Sequence, residues 1–313
     1  MIIRAQNRIA ESRWAFPVTA IYSVLLCFVL GIVERQLWIQ TALMAVAALM
    51  MVELNNANSL IRIYSRMVSC SFLVMTMLAA FMFDSIPVGI VQLTFIAFYQ
   101  SIFRAYQDQD AVGRVFYAFF AIGVASVVFG KILFFLPVLW ILLATNVLAF
   151  NVRTFFASVL GIIAPYWFVG AYYIYMGQLS RLWEHMVDIA QFDRPFDFSV
   201  LDTPRIITLV FVLVLALLGS VHFLLYSYQD KIRTRMLYEM FITLDACCFV
   251  FLFLQPQQFD NLLSMAIVTT SPLIGHFLAL THSKLSNIAF FLIVVTALAV
   301  TAYNVWSSLA IFS

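Results

Sequence analysis

The sequence predicts an all-α polytopic membrane protein with about eleven transmembrane helices. Hydrophobic residues make up 64% of its 313 residues, charged residues only 10%, and the mean hydropathy is +1.01. A soluble globular domain contains roughly a quarter charged residues. The apolar runs follow one another from end to end, which predicts a single transmembrane domain over residues 1–313.

Each predicted span is an apolar run of the length that a bilayer core requires, roughly 17–25 residues in a helix. Lys131 alone separates the fifth run from the sixth, and Gly123 and Gly130 predict a tightly packed face on the fifth helix. The runs lie at about 14–33, 37–53, 67–83, 87–103, 115–130, 132–150, 154–176, 206–227, 237–254, 262–280 and 288–306.

The distribution of basic residues predicts the orientation of these helices. Cytoplasmic loops of membrane proteins carry an excess of lysine and arginine. With a cytoplasmic N-terminus, 12 of the 17 basic residues fall on the cytoplasmic side. The other five are Arg35, Lys131, Arg181, Arg194 and Arg205. We therefore expect the N-terminus in the cytoplasm and the C-terminus outside.

Residues 177–205 form a long loop on the predicted outer side. An amphipathic interfacial helix is predicted near 179–192, because apolar residues recur there at helical spacing: Leu179, Leu182, Trp183, Met186, Ile189 and Ala190. Aromatic rings stack on sugars, carboxylates accept hydrogen bonds from hydroxyls, and arginines bind pyrophosphate. The candidate binding residues of this loop are therefore Arg181, Asp193, Arg194, Phe196 and Asp197. The alternative is a structural loop that caps the bundle.

Ionisable residues within the apolar runs form a second candidate site, because charges inside a membrane are costly and mark function. Asp245 lies in the ninth run, His222 in the eighth and His276 in the tenth, all in the predicted cytoplasmic half. If these helices are neighbours, Asp245 with either histidine forms a proton relay or cation site. The alternatives are a hydrogen-bonded pair that only fixes helix packing, and an Asp245 that stays protonated.

The segment ELNNANSLIRIYSRM, between the second and third runs, contains a third candidate site. Arg62 and Arg66 are four residues apart, so a helix would place both on one basic face that holds a phosphate or a lipid headgroup. The alternatives are ordinary anchoring at the cytoplasmic surface and an ion pair between Glu53 and Arg62.

The sequence contains no motif that identifies a catalytic residue, a metal or a cofactor. GxxxxGK[ST], HExxH and GxSxG are all absent. The cysteines lie within apolar runs without a CxxC pair, as small hydrophobic residues do: Cys27, Cys70, Cys247 and Cys248. A net charge of +2 does not favour a nucleic-acid partner.

Residues 104–175 contain several residues at spacings that are compared below with a known family. Arg104 and Gln107 precede the hairpin VFYAFFAIGVASVVFGKILFFLPVLW, and Arg153, Gly161 and Pro165 follow it. In these positions the chain resembles an uncharacterised family of polytopic bacterial inner-membrane proteins, a domain of unknown function. The family's usual acidic residue after the first phenylalanine of the hairpin is replaced by a tyrosine. The resemblance implies a multi-pass protein of the bacterial inner membrane and implies no activity.

Three classes of function fit these observations. The sequence favours a non-catalytic subunit or accessory protein of a bacterial inner-membrane complex, because few polar groups lie within the spans. The second class is an enzyme or handler of isoprenoid-linked glycan substrates in envelope assembly. The third is a secondary transporter that uses Asp245 as its proton or cation site. The expected partners are the lipid bilayer, other membrane proteins and, for the second class, an isoprenoid-linked lipid.

Overall fold

Helices follow one another along the whole described part of the chain. In the computed structural model residues 4–312 are described, and they contain no strand. The predicted all-α class is therefore confirmed. The helices are α1 (Ala5–Ala10), α2 (Ala15–Val29), α3 (Trp38–Asn58), α4 (Met67–Leu78), α5 (Ile86–Ile102), α6 (Val112–Val128), α7 (Leu136–Thr145), α8 (Val152–Tyr175), α9 (Leu179–Ala190), α10 (Thr203–Tyr226), α11 (Ile232–Leu254), α12 (Phe259–Leu280) and α13 (Lys284–Phe312).

Short 3₁₀ segments extend several of these helices. One, Gly130–Phe135, leads directly into α7. Within residues 4–312, seven helices are long and apolar enough to cross a membrane: α3, α5, α8, α10, α11, α12 and α13. Four shorter apolar helices are Ala15–Val29, Met67–Leu78, Val112–Val128 and Gly130–Thr145. Each predicted apolar run coincides with one of these helices, and the chain is a multi-pass membrane protein.

Helix α12 lies at the centre of the bundle. Every residue in an 18-residue apolar stretch of α12 is buried, and the helix packs against α4, α5, α10 and α11. Two of its buried serine hydroxyls are satisfied within the helix itself. Ser264 donates to the carbonyl of Asn261, and Ser271 donates to that of Ile267. Small polar residues can therefore occupy a helix that contacts neither water nor lipid.

The connecting segments meet at two ends of the bundle. At the end that contains α1, the side chain of Arg62 reaches Gln229 at 2.8 Å. At the end that contains α9, Lys131 pairs with Asp193 and Arg35 with Asp84, each at 3.2 Å. We call these the α1 end and the α9 end. Successive helices α2–α8 and α10–α13 run alternately between them.

Helices α6 and α8 cross at short distance through two glycines. A Cβ atom on Gly123 would lie 2.7 Å from the carbonyl oxygen of Ile162, and one on Gly161 2.6 Å from that of Phe116. The tight packing predicted for Gly123 is thus confirmed. Gly130 contacts Ile189 of α9 instead, because it lies beyond the end of α6.

Candidate functional site

A buried charged cluster lies at the α1 end, where α10, α11 and α12 meet. Nε2 of His276 lies 3.1 Å from a carboxylate oxygen of Asp230, and the two side chains are only 2% and 3% exposed. The other oxygen of Asp230 lies 4.0 Å from the guanidinium of Arg62. Asp230 thus joins two basic side chains. We did not predict it from the sequence, because it lies outside every apolar run.

Aromatic rings enclose the imidazole of His276. Phe223 and Tyr238 meet it edge-on, with ring centroids 5.2 and 5.0 Å away, and the ring of His222 lies 5.7 Å away. The structure therefore brings together the two histidines that we predicted. Nδ1 of His276 is buried without a hydrogen-bond partner among the described residues, which is unusual for a buried polar atom.

A cavity of about 490 Å³ opens beside this cluster. Its wall contains the basic side chains Arg62, His222, His276 and His282, and a single acidic one, Asp230. The charges of Arg62 and Asp230 offset each other, so the wall becomes net positive only when a histidine is protonated. Among the described residues, no three His, Cys, Asp or Glu side chains are placed to hold a metal ion. The cavity wall is suited to a small polar or anionic molecule.

Asp245 of α11 is also buried, but it does not contact the histidines. Its Oδ1 lies 2.5 Å from the hydroxyl of Thr269 and 3.0 Å from that of Thr270. Within residues 4–312 it forms no salt bridge. The six residues from Thr270 to His276 correspond to about 9 Å along α12. The predicted relay residues therefore lie in two separate sites at different levels along α12.

The hydrogen bonds around Thr269 are compatible with a protonated Asp245. The single hydroxyl proton of Thr269 has three nearby acceptors: Oδ1 of Asp245, the carbonyl of Ala266 at 2.9 Å and that of Met265 at 3.2 Å. When this proton goes to a carbonyl, a protonated Asp245 donates to the threonine oxygen. A buried carboxylate without a cation is costly, so the neutral acid suits this position.

Pro272 lies in α12 between the two sites. Because proline has no N–H, the carbonyl of Val268 lacks its usual helical partner. The hydroxyl of Tyr238 lies 3.4 Å from the Pro272 carbonyl, while its ring contacts His276. The helical hydrogen bonds of α12 are thus interrupted between Asp245 and His276.

A third acidic group lies at the α9 end of α12. Asp260 accepts two hydrogen bonds from Arg205, at 3.0 and 3.1 Å. Both residues line a cavity of about 290 Å³. Nine residues, or about 14 Å of helical rise, separate Asp260 from Thr269. One buried helix therefore has an acidic group beside it at each end and near its middle.

Arg62 and Arg66 do not share a helical face, so that prediction is wrong. Helix α3 ends at Asn58 and α4 begins at Met67, and residues 59–66 between them form a non-helical turn. The amide of Asn55 stabilises this turn by donating to the carbonyl of Ser65 at 2.9 Å. Arg66 donates to Asn56 while Arg62 reaches Asp230, so the two arginines diverge. The carboxylate of Glu53 lies near Arg104 instead of Arg62.

Helix α9 occupies the position predicted for the interfacial helix. His185 and Ile189 face the bundle: Nε2 of His185 lies 3.1 Å from the carbonyl of Ser126, and Ile189 contacts Gly130. Trp183 is 72% exposed and Met186 38% exposed. Helix α9 therefore contacts the bundle along a narrow stripe that includes a histidine, and its position on the membrane surface stays a prediction.

The candidate residues of the outer loop fall into two groups. Asp193 is held in place, because Lys131 pairs with its carboxylate and the amide of Gln255 forms two hydrogen bonds with its backbone, at 3.1 and 3.0 Å. Asp197 accepts hydrogen bonds from the hydroxyl and N–H of Ser199, which lower the pKa of Asp197. The second group, Arg181, Arg194 and Phe196, is exposed.

Comparisons with known proteins do not assign this chain to a family. No protein-family model, curated protein or solved structure matches it. The resemblance of residues 104–175 therefore stays a prediction, and the assignment of a function rests on the site itself.

Proposed function

We propose that this protein is a secondary transporter that couples the movement of a small anionic solute to that of protons along α12. The observation that carries this proposal is the series of acidic groups along the central helix α12: Asp230 at the α1 end, Asp245 near the middle and Asp260 at the α9 end. Titratable groups within membrane-spanning helices typically mark proton and ion pathways.

The proposal requires that all eleven apolar helices cross the bilayer, with the N-terminus in the cytoplasm. Their alternation between the α1 end and the α9 end supports this topology. Among the shorter helices, Gly130–Thr145 rises about 27 Å with six residues at 2.0 Å and ten at 1.5 Å, close to the roughly 30 Å of a bilayer core, whereas Ala15–Val29 rises about 22 Å. The family resemblance supports a location in the bacterial inner membrane.

Asp245 is the proposed proton-binding residue of the pathway. It is buried, it forms no salt bridge within residues 4–312, and Thr269 and Thr270 can bond to it in both its protonated and its ionised form. Pro272 leaves one carbonyl of α12 without its helical partner between Thr270 and His276, although the helix is continuous there. In our proposal a proton passes between Asp245 and the cluster at His276 when α12 and α11 rearrange.

The cavity beside His276 is the proposed solute site. The charges of Arg62 and Asp230 offset each other there. Protonation of His276 would give the wall a net positive charge and increase its affinity for an anion, which would link solute binding to proton binding. The solute class supported by this wall is therefore a small carboxylate or phosphate.

Proton flux into liposomes tests the proposal. Purified protein is reconstituted with a trapped pH-sensitive dye, and succinate, glutamate and phosphate are added outside under an imposed proton gradient. We expect one of these anions to accelerate acidification of the lumen. Asp245→Asn keeps the size and hydrogen-bonding capacity of the side chain but cannot carry a proton, and we expect it to reduce the rate at least tenfold.

The matched control is Asp110→Asn, because Asp110 is an exposed acid whose only described ion pair is a distant one with Arg153 at 4.0 Å. This variant is expected to transport like the unmodified protein. Asp245→Asn transport at the unmodified rate contradicts the proposal, and so does a lack of anion-dependent flux with all three anions.

A second function, the membrane-complex subunit, is supported by the outward surface of α9. Trp183 and Val187 are exposed there although both are apolar, and a partner membrane protein could cover them. Gentle purification from native membranes followed by mass spectrometry tests this. A stoichiometric protein partner supports the subunit function. A retained isoprenoid-linked lipid would instead support the handling of glycan substrates near Arg181 and Arg194.

A further inference from the structure

A second large cavity lies between α13 and the rest of the bundle. It has a volume of about 630 Å³, and α2, α4, α10, α12 and α13 form its walls. The side chains that line it are almost all apolar, among them Val18, Val74, Phe211 and Val294. Val18 is 60% exposed, so the cavity is a groove continuous with the lipid-facing surface. Water has few polar partners in such a groove, whereas hydrocarbon fills it favourably.

The α1 end of the groove has a different chemistry. Arg8 and Ser12 line its mouth together with Trp14, whose ring is largely exposed. Within residues 4–312 the guanidinium of Arg8 forms no salt bridge. Arginine and tryptophan at the rim of an apolar surface are typical of the level of the lipid headgroups.

Helix α1 is fixed in place across the mouth of the groove. Gln6 is completely buried, and its amide donates to the carbonyl of Leu278 and to the hydroxyl of Thr281, both at 2.8 Å. The amide of Asn7 donates to the carbonyl of Thr281 at 3.0 Å. These bonds tie α1 to the end of α12, so Arg8 is held beside the groove by its immediate neighbours in sequence.

We propose that this groove binds an anionic phospholipid, with one acyl chain between α13 and the bundle and the phosphate at Arg8. The volume and apolar lining of the groove match an acyl chain, and the charge of Arg8 matches the phosphate. The site is separate from the proposed transport pathway. Phe277 of α12 lines the cavity beside His276, whereas the next residue, Leu278, lines the groove.

Lipid binding by the full chain is measured by native mass spectrometry during titration with dioleoyl phosphatidylglycerol or with dioleoyl phosphatidylcholine, which has the same acyl chains. We expect one phosphatidylglycerol to remain bound at concentrations at least fivefold lower than phosphatidylcholine requires. Arg8→Gln should remove this preference, because only the headgroup contact is lost. Arg13→Gln is the control, since Arg13 lies on the same segment but does not line the groove.

A second pair of variants tests the groove itself. Val294→Trp fills it and should weaken the binding of both lipids, whereas Val295→Trp places the same ring on the neighbouring position, which is 63% exposed and does not line the groove. Leu298→Trp, which also projects into the groove, replaces the first variant if that variant does not fold.

Three results overturn the proposal. One is equal binding of the two lipids by the unmodified protein. Another is the same lipid preference in Arg8→Gln and Arg13→Gln. The third is unchanged lipid binding when the groove is filled. That result is expected if a second copy of the chain, and not a lipid, occupies the groove. None of these results bears on proton flux, so the transport proposal is judged independently.

Discussion

The hydroxyl oxygen of Thr269 on α12 lies 2.5 Å from a carboxylate oxygen of Asp245 on α11, and both side chains are buried. This bond connects a buried polar side chain of α11 with one of α12. It also determines what replacement of either residue does, because the partner that remains has no access to water.

Thr269→Val should destabilise the protein, since it leaves Asp245 with only the hydroxyl of Thr270. Loss of one partner of a buried polar group costs about 1–3 kcal/mol. The measurement is the midpoint of thermal unfolding in detergent. Thr243→Val is the control, because the exposed hydroxyl of Thr243 bonds only to the backbone of its own helix. Equal midpoints for the two variants would show that the Thr269 bond does not stabilise the fold.

Asp230→Leu should be more damaging than Asp230→Asn. Leucine leaves the buried Nε2 of His276 without its hydrogen-bond partner and Arg62 without a nearby acid, and an unsatisfied buried polar group costs about 1–3 kcal/mol. Asparagine keeps an oxygen for the hydrogen bond with Nε2 of His276 and should cost less. Chemical denaturation followed by tryptophan fluorescence compares them. If both variants unfold like the unmodified protein, the pair is not structurally important.

Gly161→Ala should destabilise the α6–α8 crossing. The added methyl group would lie 2.6 Å from the carbonyl oxygen of Phe116, so a helix must move, and such overpacking costs about 1–3 kcal/mol. Gly170 on the same helix is a matched control. Its added methyl group meets only the tip of Leu182 at 3.8 Å, so Gly170→Ala should be neutral or stabilising by up to about 1 kcal/mol. Thermal unfolding of the two variants distinguishes these outcomes.

Gln255→Ala should loosen the loop that follows α9. The two hydrogen bonds between its amide and the backbone of Asp193 would be lost, leaving the Lys131 ion pair as the principal attachment at that position. Limited chymotrypsin digestion at Phe196, which is 61% exposed, should become several-fold faster. Gln257→Ala removes only a 3.4 Å hydrogen bond to the carbonyl of Arg194 and should change the rate little. Similar rates for both variants would contradict the role of Gln255.

Single-cysteine labelling tests the predicted topology. After the four native cysteines are replaced by alanine, Glu184→Cys on α9 should react with a membrane-impermeant maleimide in intact cells. Asp110→Cys, in the connection between α5 and α6, should react only after permeabilisation. Both positions are exposed, so access to the reagent depends on the side of the membrane. The reverse pattern would invert the orientation, and labelling of both from outside would contradict the span count.

The positions of the helices were predictable because they depend on local chemistry. In lipid each backbone polar group must be paired within its own helix, so every span must be a continuous apolar run. The eleven predicted runs coincide with eleven apolar helices, and α9 has the predicted bounds to within two residues. The error at Arg62 and Arg66 has a local cause that periodicity did not detect. Ser59 ends α3 in a left-handed conformation, and the chain turns before α4 begins.

The candidate site depended on information that hydropathy does not contain. The positions of His222, His276 and Asp245 in apolar runs marked them as candidates. The sequence did not indicate which of them are in contact. A membrane helix is apolar on all sides, so its hydropathy does not indicate which helices pack against it. Asp230 was missed because it lies in a polar connection, where acidic residues are common.

The sequence by itself thus determined that the chain crosses a membrane many times and which ionisable residues are buried in its spans. Only the tertiary structure decided that α12 lies at the centre, that His276 pairs with Asp230, and that Asp245 bonds to threonines. The physical reason is that insertion into lipid is decided by each segment separately, whereas pairing depends on the packing of helices that are distant in sequence.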